Sequence, residues 1–252
     1  MKALPLHRWN VTIPEAREIQ IALRERVELR DRFGRIRYVA GADLALEQSG
    51  PLTWKRGLHA SSGRAIAGVV VYRFPELEEI ERVSVVRPLR FPYVPGLLSF
   101  RETPALLAAF ARLRHAPDLI FIDGHGYAHP RRFGIACHLG VLLDRPTIGV
   151  AKSLLIGTHG EPGPCAGDWT PLTGLNAAKE SETIGAVLRT ADSVRPVFVS
   201  QGHRISLEGA IRFVMAVADG YRIPRPTRDA DHFVGEIKRA RASRAMRRAV
   251  AK

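Results

Sequence analysis

The sequence predicts an α/β fold: a mixed sheet, made of an antiparallel hairpin plus parallel strands, flanked by helices. Three observations predict it. Helical and strand-like runs alternate along nearly all of the 252 residues. Two β-rich runs, "AIAGVVVYRF" and "EIERVSVVRPL", are separated by a short Pro-Glu-Leu-Glu connection, the mark of a hairpin. After them helix, strand, helix and strand patterns follow in turn, the order that lays strands side by side with helices crossing the faces.

The elements follow one another as expected for that class. In "TIPEAREIQIALRERV", Thr12 and Glu15 have capping-box spacing, Pro14 sits in the first turn, and Ile19, Leu23 and Val27 share one face, so a helix is predicted. "RIRYVAGADLAL" reads as a strand carrying Asp43, and the hairpin comes next. "ETPALLAAFARLRH" reads as a helix starting at or near Glu102, Asp118 to Asp123 as a strand, "RFGIACHLGVLLD" as a helix and "PTIGVAKS" as a strand. The Gly/Pro-rich "GTHGEPGPCAGDWTPLTG" is predicted to be a surface loop. "IGAVLRTA" and "PVFVSQG" read as strands, and "SLEGAIRFVMAVADG" and "PTRDADHFVGEIKRARASRAMRRA" as helices. One arrangement of this order is the ribonuclease H-like fold, in which the first strand is central and the strand ending at Asp123 lies parallel beside it. Asp43 and Asp123 would then meet at one sheet edge, where ligands of open α/β sheets collect.

Composition narrows the partner. Lys plus Arg number 38 against 25 Asp plus Glu, a net charge of +13, which suits a polyanion such as nucleic acid. Between Lys238 and Lys252 there are seven basic residues and no acid, so residues 238–252 read as a basic tail or fraying helix after a single catalytic domain over 1–237. No apolar run is long enough for a membrane span and the start has no export-type apolar segment, so a cytoplasmic protein without a membrane partner is expected. Two cysteines, Cys137 and Cys165, are too few for a disulfide framework and agree with a reducing compartment.

The candidate chemistry lies in "DLIFIDGHGYAHPRR". An apolar strand ends on a carboxylate, Asp123, followed by Gly124 and Gly126, whose backbone can approach a ligand closely, and by His125 and His129. Asp43 is a second charge inside an apolar strand; it needs either a buried cationic partner or a metal. Two such carboxylates together favour a divalent cation of the Mg²⁺ type, held by one or two acids plus substrate phosphate. Either histidine could serve proton transfer or phosphate binding, or be a plain loop residue. Lys152, ending the "PTIGVAK" strand, would reach the same edge or snorkel at the surface. In "FPYVPGLLSFRE", Pro92 and Pro95 stiffen a loop around Tyr93, which suits an aromatic inserted between bases or one packed under its prolines.

"PYVPGLLSFRE", "DLIFIDGHGYAHPRRFGIACHLGVLLDRPTIGVAKS", "VSQGHRIS" and "RIPRPTRDAD" closely resemble the endonuclease V family, in order, from about Ile36 to Asp231. The resemblance implies a ribonuclease H-like DNA repair nuclease acting on DNA containing deoxyinosine, cutting the second phosphodiester bond 3′ to the lesion and leaving a 3′-hydroxyl and a 5′-phosphate. It implies a Mg²⁺ site (Mn²⁺ as substitute) on Asp43 and Asp123, with Glu102 and Asp231 completing the acidic cluster and Lys152 and His129 near the scissile phosphate. It implies Tyr93 as the wedge and the backbone at Gly96, Leu98, Gly124 and Ile135 as the hypoxanthine pocket, in an enzyme acting as a monomer. Some relatives carry a histidine where Asp231 aligns, and His232 is the next residue. The alternatives are an endoribonuclease acting on inosine in RNA and a catalytically silent nucleic-acid-binding module.

Overall fold

The computed structural model describes residues 1–48, 53–55, 58–60 and 63–250. Its strands are β1 (Tyr38–Gln48), β2 (Thr53–Lys55), β3 (Leu58–Ala60), β4 (Gly63–Arg73), β5 (Glu78–Pro88), β6 (Leu119–Asp123), β7 (Thr147–Ala151), β8 (Trp169–Leu175), β9 (Ser181–Leu188) and β10 (Val197–His203). Its helices are α1 (Ile13–Arg24), α2 (Leu98–Phe110), α3 (Ile135–Leu143), α4 (Leu207–Ala216) and α5 (Arg225–Val250). Eight strands form one sheet in the order β5-β4-β1-β6-β7-β10-β9-β8, while β2 and β3 pair with each other. β1 and β6, and β6 and β7, run parallel; β4 and β5 form the expected antiparallel hairpin, and β1 pairs antiparallel with β4. This is the predicted mixed sheet with β1 central and the Asp123 strand beside it.

Side chains alternate across the pleat, so each inner strand feeds two cores. On one face Ala40, Ala42, Ile120 and Ile122 pack with Leu106 and Phe110 of α2 and Leu139 of α3. On the other, Val39, Leu119 and Phe121 pack with Phe213 and Val214 of α4 and Ala230 of α5. α1 begins on the predicted capping box: Thr12 Oγ1 accepts from the Glu15 amide and Glu15 Oε2 accepts from the Thr12 amide at 2.7 Å. Among the described residues no helix is long and apolar enough to cross a membrane.

Helix α5 is seated on the sheet where the strands lack side chains. A Cβ on Gly41 would stand 1.8 Å from the Pro226 carbonyl oxygen, so only glycine lets the helix lie this close. Its buried residues Pro226, Ala230 and Val234 recur every four positions with Thr227 beside the first, and none from Gly235 to Arg247 is buried. The basic stretch is therefore the exposed second half of one helix, with Arg241 Nε bonded to Glu47 Oε1 at 2.6 Å. Of the departures from expectation, two are instructive. α2 begins at Leu98 rather than near Glu102, and its N-cap Leu97 makes no side-chain hydrogen bond. The predicted Gly/Pro-rich loop contains most of β8, which tolerates Pro171 because it is the sheet's edge strand, its one strand partner being β9 apart from a bridge of Thr173 to Thr158.

Candidate active site

The register of β1 on β6 pairs Ala42 with Ile122, so the next residue of each strand, Asp43 and Asp123, emerges side by side at the sheet edge. Burial pushes the Asp43 carboxyl well above the usual carboxylate range, and the neighbouring charges of Asp123 and Asp231 push the same way, against a hydrogen bond from the Leu44 amide. Glu102 comes in from α2 and is pushed up to about 8, first by burial, then by Asp43 and Asp123, with Arg101 opposing. Lys152, just past β7, places Nζ 2.6 Å from Asp123 Oδ2 and 3.8 Å from Asp231 Oδ2. Burial alone would lower the Lys152 pKa; the Asp123 hydrogen bond and the surrounding carboxylates reverse this and raise it. α5 presents Asp231 to this cluster: exposed like its neighbour His232, it hydrogen-bonds Asp43 and approaches Lys152.

Four carboxylates thus share one ammonium group, and two of them are held toward their neutral forms, the mark of a site short of positive charge. Hard carboxylate oxygens suit Mg²⁺ or Mn²⁺. Among the described residues no three His, Cys, Asp or Glu side chains converge into a ready-made cage, so a cation here would rest on Asp43, Asp123 and oxygens of water and substrate. The Lys152 ammonium beside Asp123 marks the place where positive charge is welcome.

The raised Glu102 pKa carries a prediction. Folding lifts it from 4.5 toward about 8, so the group is without cost below 4.5, where both states are protonated, and stability falls as pH rises from there through the folded pKa. Glu102→Gln removes the dependence. In metal-free urea unfolding, its stability relative to the parent chain is expected to be greater at pH 8 than at pH 5; an equal difference at both would refute the raised pKa.

Beside the carboxylates, the Phe91 to Leu97 segment holds Tyr93 out, 52% exposed, on buried anchors Phe91 and Leu97. Its Gly96 carbonyl accepts three hydrogen bonds, from Gln20 Nε2 at 3.1 Å, His129 Nε2 at 3.0 Å and Arg131 Nη2 at 2.5 Å. The Arg131 amide donates to His129 Nδ1 at 3.2 Å, which places the ring proton on Nε2. With both nitrogens engaged, and burial and the Arg131 charge lowering its pKa to about 3, His129 is a neutral clamp on the Gly96 loop. Of the residues expected to line the base pocket, a Cβ on Gly124 would meet Ile135 Cγ2 at 2.7 Å, so these two lie in contact at the start of α3. Leu98 opens α2 and is partly exposed. His125 turns elsewhere: Nε2 bonds the Ser153 carbonyl at 3.0 Å. Sequence reasoning missed Gln20 and Arg131. The signal for Gln20 was a polar side chain at helical spacing between apolar Ala16 and Leu23.

The sequence profile of the family described as Endonuclease V matches residues 21–232. An Endonuclease V of Roseiflexus sp. (strain RS-1) is 52% identical over 223 residues, covering 88% of this chain and 92% of the relative. The crystal structure of the Endonuclease V from Streptomyces avermitilis superposes with a TM-score of 0.81 at 39% identity, over 93% of this chain and 96% of that one. Ciona intestinalis Endonuclease V, solved with a 24mer DNA containing an inosine followed by a ribo-adenosine, superposes with a TM-score of 0.70 at 29% identity, over 90% of this chain and 98% of that one. With the profile spanning most of the chain and the carboxylates gathered at one sheet edge, this chain belongs to the Endonuclease V family.

Proposed function

We propose that this chain is a Mg²⁺-dependent endodeoxyribonuclease, with Mn²⁺ as a substitute, that recognises deoxyinosine in DNA. It hydrolyses the second phosphodiester bond 3′ to the lesion and leaves a 3′-hydroxyl and a 5′-phosphate. The observation that carries the reading is the meeting of Asp43, Glu102, Asp123, Asp231 and Lys152 beside the exposed Tyr93 loop, in a family with a member solved on inosine-containing DNA. A cation held by Asp43 and Asp123 would polarise the scissile phosphate and ease deprotonation of the attacking water. Lys152 Nζ, held by Asp123, is set to donate to a phosphate oxygen. Glu102 can hold or release a proton near neutral pH, and Asp231 orients Lys152.

Lesion reading needs the base out of the stack, at a cost of a few kcal/mol that is smaller for a mispaired hypoxanthine. The backbone at Gly96, Leu98, Gly124 and Ile135 would then read the 6-oxo group, with Tyr93 filling the gap. The clamp on Gly96 supports this, because a carbonyl gripped by three donors keeps the loop in place before DNA arrives. In this role His129 positions the loop. The same proposal places the enzyme in the cytoplasm, acting as a monomer, with residues 1–237 as the catalytic domain and 238–252 as a basic tail.

A second reading, cleavage of inosine-containing RNA, is favoured by the ribo-adenosine that follows the inosine in the Ciona complex. The test is nicking of matched inosine-containing DNA and RNA strands with and without Mg²⁺. Metal-dependent nicking of the DNA at the second bond supports the proposal; cutting of RNA alone transfers it to RNA, and no cutting of either overturns it.

The tail has its own expected outcome. Ending the chain after Gly235 removes no buried residue up to Arg247 but takes away seven basic ones, so the dependence of DNA affinity on salt should flatten while lesion preference changes little. Affinity titrations across a salt series check this; an unchanged slope would make the tail a merely solvated surface.

A further inference from the structure

A cleft of about 520 Å³ opens on the side of the Tyr93 loop formed by Phe91 and Pro92, a volume within the usual range for a bound small molecule. Trp9, Phe91 and Phe100 line it together with Arg87, Arg90 and Arg101. The rings are held in place: Trp9 packs edge-on against Phe100 at 6.1 Å and stacks on His138 at 5.4 Å, and Arg101 Nη1 bonds the Phe91 carbonyl at 2.7 Å. Arg87 and Arg90 are exposed, and among the described residues neither makes an ion pair or a side-chain hydrogen bond. A fixed, half-buried indole, Trp9, beside uncommitted guanidinium groups matches the two halves of a nucleotide, a base to stack and a phosphate to neutralise.

Its position says which nucleotide. Arg101, Pro104, Ala105 and Ala108 recur at helical spacing on the cleft side of α2, whereas Glu102 is turned about 100° from Arg101 toward the carboxylates. Along the chain the loop runs from Phe91 and Pro92, which line the cleft, through Tyr93 to Gly96, so it connects the cleft with the Gly96 side of the site. A wedge driven into a duplex leaves the lesion strand on one side and its complement on the other. We propose that the cleft receives the nucleotide of the complementary strand that loses its partner when the lesion leaves the helix, its base against Trp9 and its phosphate on Arg87 and Arg90. This rests on the reading of Tyr93 as the wedge.

The test compares one inosine-containing strand, alone and in duplex, by fluorescence anisotropy without divalent cation. The exposed double variant R87A/R90A should lose roughly tenfold or more in duplex affinity and less than about twofold on the single strand, because only the duplex supplies the second strand's phosphate. In a W54F/W169F chain, emission from Trp9 should be quenched by the duplex and not by the single strand. Equal losses on both forms, or no quenching by duplex, would overturn the proposal, since the arginines would then be attracting phosphate in general. Tyr93→Ala separates the two readings: loss in R87A/R90A with Tyr93→Ala unaffected would sink the wedge and leave the cleft as a duplex site.

Discussion

Asp123→Ala is expected to reduce nicking of inosine-containing DNA by at least roughly a thousandfold, the scale of the several kcal/mol that charge stabilisation at a phosphate supplies. Asp43→Ala should do the same. Binding of inosine-containing DNA should remain measurable, because phosphate and pocket contacts do not all pass through the carboxylates. The structure adds a second expectation for Asp123→Ala. The Asp123 charge helps raise both Asp43 and Glu102, so its removal relieves repulsion inside the fold. What is lost is an ion pair to Lys152, whose side chain is 41% exposed, and such pairs contribute little. The inactive variant should therefore be no less stable than the parent chain when metal-free, a case of stability given up for function. Single-turnover nicking and urea unfolding on the same preparation check both halves; substantial cleavage by Asp123→Ala in Mg²⁺ would remove the metal assignment.

The parts of this site legible in the sequence were those set by local pattern. An apolar strand ending on an acid before glycines marked Asp123, and a charge inside an apolar run marked Asp43, because a buried carboxylate is too costly to be idle. The hairpin and the order of elements after it then fixed which strands could be neighbours. What local pattern could not carry was long-range fit. The Gly96 clamp joins Gln20 of α1, a carbonyl 76 residues later and Arg131 beyond that, and no spacing rule connects them. The choice between Asp231 and His232 depends on the rotation of α5, which is set by its close approach at Gly41. β8 was hidden because an edge strand needs only one partner and accepts proline. The start of α2 was hidden because Leu97 caps it without a polar side chain, leaving the first polar residues inside the helix to suggest a later start.

Tyr93→Ala should weaken binding to inosine-containing duplex by roughly 1 to 3 kcal/mol, the usual range for stacking of a base on an aromatic ring. The structure favours a direct effect over a loss of folding. The ring is 52% exposed, so little packing is lost, and the loop is held independently by buried Phe91 and Leu97 and by the three donors on Gly96. With the carboxylates and Lys152 untouched, single-turnover cleavage at saturating enzyme should fall far less than in Asp43→Ala. The loss should be smaller on a single strand, which has no partner to hold apart. A rigid wedge also loses less freedom on binding than a mobile one, so releasing the clamp should mimic removing the ring. Gln20→Ala, which takes one donor from Gly96, is therefore expected to weaken duplex binding in the same sense as Tyr93→Ala, and the double variant to lose less than the two losses added. Equal duplex affinity of Tyr93→Ala and the parent chain would mean that the tyrosine merely covers its prolines, and full additivity would mean that the clamp acts elsewhere.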